Sequence, residues 1–131
     1  MKKNISPEEI IDKYIEIGTI LKETTLSGDY KKGNKERNKI IKLFKLLEAD
    51  LELARRTLPE LFYNENVVTS NKAAAHCLSL NICVDEALRV LKNAKDDEKN
   101  GIFGFEAEMT LKVWHKQGYL KVYPEQKIYE M

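Results

Sequence analysis

Two histidines and two cysteines are the side chains best suited to chemistry, and three of the four are close in sequence. His76, Cys77 and Cys83 are neighbours, whereas His115 lies near the end of the last predicted helix. Such residues bind metal ions or form nucleophile–base pairs. No HxxxH, CxxC or HExxH spacing is present, and adjacent helical residues such as His76 and Cys77 point about 100° apart. We therefore expect no metal, no cofactor and no catalytic residue, and we interpret the histidines as structural residues at the margin of the core.

Acidic pairs and glycines also lack catalytic spacing. The adjacent pairs Glu8–Glu9 and Asp96–Asp97 lie near predicted helix ends, where capping and the helix dipole explain acidic residues at a helix start. Glu106 and Glu108 are two residues apart and point to different helix faces. The glycines of Gly101–Gly104 belong to no phosphate-binding or nucleophile-elbow motif. The sequence therefore predicts a protein that is not an enzyme.

A lysine-rich helix face is the most distinctive surface feature. Between positions 31 and 45 six lysines and Arg37 stand against one acid, Glu36. Such an arc of lysines could bind a phosphate backbone or an acidic protein. It could also be the solvent-exposed side of a helix with no binding role. The net charge of +1 gives no general argument for nucleic acid. The candidate binding residues on this face are Lys31, Lys35, Lys39 and Lys42.

Tyrosines concentrate after the last predicted helix. Tyr119, Tyr123 and Tyr129 are half of the six tyrosines. Because tyrosine is enriched at interfaces, Tyr119 and Tyr123 are candidate partner-binding residues. The alternative is that this segment folds back over an exposed helix edge, since aromatic side chains rarely remain fully exposed. The alternation at 119–123 allows a short extended segment, which Pro124 would end.

Length and composition indicate one globular core. The chain has 131 residues, of which 43% are hydrophobic and 33% charged. No run approaches the roughly 18 apolar residues of a membrane span, and no apolar core follows Lys2 and Lys3 as a signal peptide requires. Cys77 and Cys83 lie in the most hydrophobic third, so we interpret them as buried free thiols. These features predict a cytoplasmic protein with no membrane contact.

Helical periodicity and end signals predict three helical segments in the first half. Ser6–Glu9 carries a capping box with proline at the first helical position, and Ser27–Asp29 ends this helix and caps the next. The second helix extends from about Tyr30 to about Glu48. A less regular third segment covers Leu51 to Phe62, with a break expected at Pro59, and a turn follows at 63–66.

Three more helices are predicted in the second half, at about 67–80, at about 86–96 capped by Asp85 or a neighbour, and from near 103–105 to Gln117 before Gly118. The first of these leaves only Lys72, His76 and Ser79 as a polar strip. The last has apolar residues on two sides, which are Phe105, Met109 and Val113 on one and Ala107, Leu111 and Trp114 on the other. We therefore expect both helices to be covered by neighbours on two sides.

These elements predict an all-α fold of stacked antiparallel helix pairs, with one helical domain at 1–118 and a C-terminal tail at 119–131. The segments Ala73–Leu78 and Gly104–Trp114 resemble an uncharacterised bacterial family of short HEAT-like helical proteins, a domain of unknown function. The resemblance is best over 73–118 and looser over the first 118 residues. It implies a HEAT-like α-α superhelix of about three helix pairs and implies no activity.

The sequence lacks catalytic and cofactor motifs, and stacked helices offer a surface for binding. Together these features favour a non-enzymatic protein-interaction module. One version is an immunity or antitoxin-type bacterial protein, because Glu86 and Asp96–Glu98 make the later half acidic and the charge lopsided. The alternative is nucleic-acid binding through the lysine face. The expected partner is thus another protein, or less favourably a nucleic acid.

Overall fold

The computed structural model describes residues 5–123 and is helical throughout, with no strand in that part of the chain. Two short 3₁₀ turns, at Leu58–Leu61 and Glu98–Asn100, accompany the α-helices. The helices are α1 (Pro7–Ser27), α2 (Tyr30–Ala49), α3 (Leu51–Thr57), α4 (Val67–Leu80), α5 (Val84–Asp96) and α6 (Ile102–Gln117). The all-α prediction is confirmed.

The ends of α1 and α2 follow the predicted local signals. The Ser6 hydroxyl accepts a hydrogen bond from the Glu9 amide, and the Glu9 carboxylate accepts one from the Ser6 amide. Gly28 ends α1 with a φ of 81°, a left-handed conformation that glycine adopts without strain. The Asp29 carboxylate then caps α2 by accepting from the Lys32 amide. The predicted bounds of both helices are confirmed within a residue or two.

The third segment breaks as predicted at the proline. α3 ends at Thr57, and Leu58–Leu61 continues as a 3₁₀ turn that contains Pro59. Both Leu58 and Leu61 are buried, so the turn closes one end of the core. The predicted connection at 63–66 follows it, and Asn66 caps α4 by accepting from the Val68 amide.

α4 is the central helix of the fold. It packs against α1, α5, α6 and the first 3₁₀ turn, which confirms that it is covered on more than one side. The predicted polar strip is itself largely inside, because His76 and Ser79 are fully buried. Gly18 of α1 permits the closest approach, since a methyl group there would overlap the Thr69 hydroxyl. α4 therefore supplies most of the surface on which the other helices assemble.

α5 begins earlier than predicted, and its first turn exposes a cysteine. The helix starts at Val84 rather than near Glu86, and no side chain caps it; Cys83, not Asp85, occupies the cap position with a φ of 47°. Both cysteines are free. The prediction of a buried thiol is confirmed for Cys77. It is wrong for Cys83, which is exposed at the turn that leads into α5.

The two-sided burial predicted for α6 is wrong. Ala107 and Leu111 are buried and Trp114 is half-buried, as expected for one covered side. Phe105, Met109 and Val113 are all exposed. The physical reason is position: α6 packs on α5 and α4 as the last helix described, and no later helix within residues 5–123 covers its second apolar side.

Consecutive helices joined by short links pack against one another, α1 with α2, α4 with α5 and α5 with α6. α1 also packs on α4, which unites the two halves around one core. Residues 119–123 return to this body: Leu120 is buried, and Val122 and Tyr123 pack against the core. The rest of the predicted tail, from Pro124, lies outside the described residues.

Candidate functional site

α6 carries a continuous row of exposed apolar side chains. The exposed fractions are 54% for Ile102, 57% for Phe105, 42% for Met109 and 37% for Val113. At 100° per residue these four positions fall within about 80° of the helix circumference. We call this row the α6 stripe. Its width is that of a narrow helix-packing seam, which fits a single partner helix.

The opposite side of α6 holds the stripe in a fixed position. Phe103, Ala107 and Leu111 are buried in the core. At Gly104 the backbone comes so close to α5 that an added Cβ would lie 3.0 Å from the Ala94 carbonyl oxygen. Because the helix is anchored by packing on one side, the α6 stripe is displayed without a backbone ordering cost on binding.

Charged residues flank the stripe on both sides. Glu106 lies about 60° to one side of Met109 and Lys112 about 60° to the other. Both side chains are exposed, and the Lys112 ammonium is 3.8 Å from the Glu108 carboxylate. Lys116 lies one turn beyond Lys112, about 20° from Met109, at the C-terminal end of the stripe. The surface thus has an apolar centre with one acidic and one basic edge, the composition of a protein interface core and rim.

The structure brings the four candidate lysines together on one face. Lys31, Lys35, Lys39 and Lys42 are all exposed on α2 and extend over about 16 Å of helix at 1.5 Å per residue. Lys39 is partly neutralised, because its ammonium lies 2.9 Å from the buried carboxylate of Glu36. This lysine face and the α6 stripe belong to different helices that share no major packing contact.

The two candidate tyrosines differ in their surroundings. Tyr119 is half-buried just after α6, and its carbonyl accepts a hydrogen bond from Gln117. Tyr123 is half-buried and reaches the core, where its ring contacts Phe44 and its hydroxyl lies 2.9 Å from Nε2 of His76. A partner that used Tyr123 would therefore have to compete with this internal contact.

His76 is the centre of a buried polar network that joins three distant parts of the chain. Its Nδ1 lies 2.8 Å from the Tyr14 hydroxyl, and its Nε2 lies 2.9 Å from that of Tyr123. Phe44 packs edge-on, with ring centroids 4.8 Å apart. A neutral imidazole has one donor and one acceptor nitrogen. One tyrosine hydroxyl therefore donates to the ring and the other accepts from it, whichever tautomer is present.

Burial keeps this network uncharged. Burial, and to a lesser degree the Lys72 ammonium, lowers the pKa of His76 to about 3. Burial also raises the pKa of Tyr14 well above its ordinary value. Burial likewise raises the pKa of the neighbouring Cys77, so its thiol stays protonated at neutral pH. A neutral histidine with both nitrogens bonded has a structural part in this fold, as the sequence suggested, but in the core rather than at its margin.

Other chemical groupings are limited in the described part of the chain. His115 is exposed near the end of α6, and within residues 5–123 no three side chains of His, Cys, Asp or Glu are grouped to hold a metal ion. Over the same residues, no helix has both the length and the hydropathy to cross a bilayer.

Sequence reasoning found three of the four stripe residues but assigned them to the interior, and it overlooked Ile102. One signal was available: an apolar second side on the last predicted helix needs a later element to cover it. Comparison with protein-family models, curated proteins and solved structures finds no match for this chain. The resemblance to the HEAT-like bacterial family remains a prediction.

Proposed function

We propose that this chain is a protein-interaction module that binds one amphipathic helix of a partner protein on the α6 stripe. The exposure of Phe105 and Met109 on a rigid helix is the observation that carries the proposal. Contiguous exposed apolar surface rimmed by polar residues marks interaction sites on monomeric proteins. Phenylalanine and methionine are also among the residue types enriched at interfaces.

The size of the stripe is consistent with a single bound helix. A large side chain buries on the order of 150–250 Å², so four side chains at about half exposure present on the order of 400 Å² of apolar surface. A standard interface buries about 800 Å² per partner, with the remainder in a polar rim. The charged edges at Glu106 and Lys112 would supply such a rim.

Charge disfavours an antiparallel second copy as the occupant. In an antiparallel pairing of two α6 helices, the Glu106 edges would face each other and so would the Lys112 edges. Like charges placed together oppose association. A parallel pairing would instead place each Glu106 edge opposite a Lys112 edge, so the oligomeric state must be measured. We expect the partner helix to carry basic residues opposite Glu106 and acidic residues opposite Lys112 and Lys116.

The test uses three immobilised versions of the chain with lysate from the cells that produce it: wild type, Phe105→Glu/Met109→Glu, and the control Leu26→Glu. Leu26 is 67% exposed on α1 and is not part of the stripe, and the circular dichroism of every variant should match wild type. We expect at least one protein to be retained by wild type and L26E and lost with the double variant. The proposal would be overturned if the double variant retained the same proteins as wild type, or if wild type retained no protein.

Light scattering of the purified chain tests the choice of occupant. We expect a monomer for wild type and for the stripe variant. If wild type is a dimer that dissociates in the double variant, the stripe binds a second copy of this chain and not a helix of another protein. An immunity or antitoxin-type protein is one form of this proposal, in which the bound helix belongs to a toxin.

Nucleic-acid binding is the second candidate, and the exposed lysine face supports it. The test is binding of a short DNA duplex at several salt concentrations, with Lys31→Gln/Lys35→Gln/Lys42→Gln as the variant. If the face tracks phosphates, the logarithm of affinity falls linearly with that of salt, and the slope becomes shallower by about 0.9 for each phosphate that the variant no longer neutralises. No binding at low salt, or an unchanged slope in the variant, would end this candidate.

A further inference from the structure

A cleft lies where α1, α2, α4 and α6 meet, away from the outward-facing stripe. Its volume is about 210 Å³. Leu21, Phe103 and Ala107 give it buried apolar walls. Its polar lining comes from all four helices: Thr25 of α1, Arg37 of α2, Asn71 and Lys72 of α4, and Glu106 and Thr110 of α6. A concave site with apolar walls into which polar and charged groups converge can hold a small polar molecule.

The charges that line this cleft are unbalanced. Lys72 is half-buried on the central helix, and burial lowers the pKa of its ammonium, with Glu106 opposing that effect and Arg37 adding to it. These influences place one acid and a second cation near the Lys72 ammonium. Within residues 5–123 no carboxylate forms an ion pair with Lys72 or Arg37. The cleft therefore has a net positive charge, because the two cations Lys72 and Arg37 are accompanied by the single carboxylate of Glu106.

Asn71 adds a polar group with unused bonding capacity. Its side-chain amide donates to the Phe103 carbonyl at 3.0 Å, which fixes its orientation between α4 and α6. Its Oδ1 is buried and has no hydrogen-bond partner among the described residues. A buried acceptor without a donor is destabilising. Because Asn71 lines the cleft, a ligand hydroxyl or amine that shifted this side chain slightly would satisfy the oxygen.

We propose that the cleft binds a small anionic molecule, whose carboxylate or phosphate lies between the Lys72 ammonium and the Arg37 guanidinium. The cleft volume of about 210 Å³ is enough for inorganic phosphate or a small hydroxy or amino acid. The inference does not depend on the helix-binding proposal, since the cleft and the stripe use neighbouring arcs of α6 that share only Glu106.

The test is titration of the full chain with inorganic phosphate in one arm and with malate or aspartate in the other, followed by calorimetry and amide NMR. We expect saturable binding in at least one arm, and the stronger arm identifies the head group. The side-chain amide resonance of Asn71 should shift together with backbone resonances of Lys72 and Thr110.

Variants separate a built site from ion binding to surface lysines. Lys72→Met should weaken binding at least about tenfold, because it removes a charge-assisted hydrogen bond to the anion. Arg37→Gln should weaken it severalfold, and the control Lys22→Met on the exposed surface of α1 should leave it unchanged. No saturable binding in either arm, or equal binding by K72M and K22M, would overturn the proposal. NMR spectra of K72M establish that this variant is folded.

Discussion

Lowering the pH should destabilise this protein through one buried residue, His76. The pKa of a histidine in an unfolded chain is about 6.5, whereas that of folded His76 is about 3. Between these values the unfolded state binds a proton that the folded state does not, so the stability falls as the pH falls. The His76 contribution is fully present above pH 6.5. At pH 5, which is 1.5 pH units below the unfolded pKa, about 2 kcal/mol of stability is lost, at 1.36 kcal/mol per unit.

The assay is urea denaturation at pH 7, 6 and 5, on wild type and on His76→Gln. Carboxylates also begin to titrate in this range, but the difference between the two proteins isolates the imidazole. We expect the stability advantage of wild type over H76Q to shrink by about 2 kcal/mol between pH 7 and pH 5. His115→Gln is the matched control, because it removes an exposed histidine and should preserve the wild-type pH dependence.

A stability difference between wild type and H76Q that stays constant from pH 7 to pH 5 would refute this reasoning. It would mean that folded and unfolded His76 bind protons alike, and so that the imidazole is accessible to water. The buried network with Tyr14 and Tyr123 would then not exist as described.

Three further perturbations probe the core. Tyr14→Phe removes a hydroxyl from a buried ring nitrogen, and the free energy of unfolding should fall by about 1–3 kcal/mol in urea titration; no change would contradict the network. The Gly18→Ala methyl group would overlap the Thr69 hydroxyl, so the free energy of unfolding should fall by about 1–3 kcal/mol and be partly restored by adding Thr69→Ala. Unchanged stability of the single variant would argue against close α1–α4 packing. Cys83 should react with a thiol reagent in the folded protein, and Cys77 only after unfolding. Mass spectrometry of the labelled peptides measures both reactions, and equal labelling rates in the folded protein would disprove their different burial.

Helix bounds were predictable where short-range chemistry determines them. The Ser6–Glu9 capping box and Gly28 act through groups within four residues, so the sequence alone locates the ends of α1. The same holds for Pro59, which converts the end of α3 into a 3₁₀ turn. α5 shows the limit of this approach, because Cys83 caps it through a backbone conformation and not through a side-chain bond.

The candidate sites depend on long-range contacts, which periodicity does not contain. Tyr14 and His76 are 62 residues apart, and His76 and Tyr123 are 47 apart. No local pattern indicates that they meet. Periodicity did identify the apolar face of Phe105 and Met109, but it cannot say whether a neighbour covers that face. That depends on the order of packing, in which α6 is the last helix described.

The most direct measurement of the central claim is photo-crosslinking from the α6 stripe in the cells that produce the chain. A photoreactive phenylalanine replaces Met109 in one protein and Leu26 in a control. We expect position 109 to yield a covalent adduct with one other protein, mapped to an amphipathic helix, and position 26 to yield none. No adduct at position 109, or an adduct only with a second copy of this chain, would contradict the account.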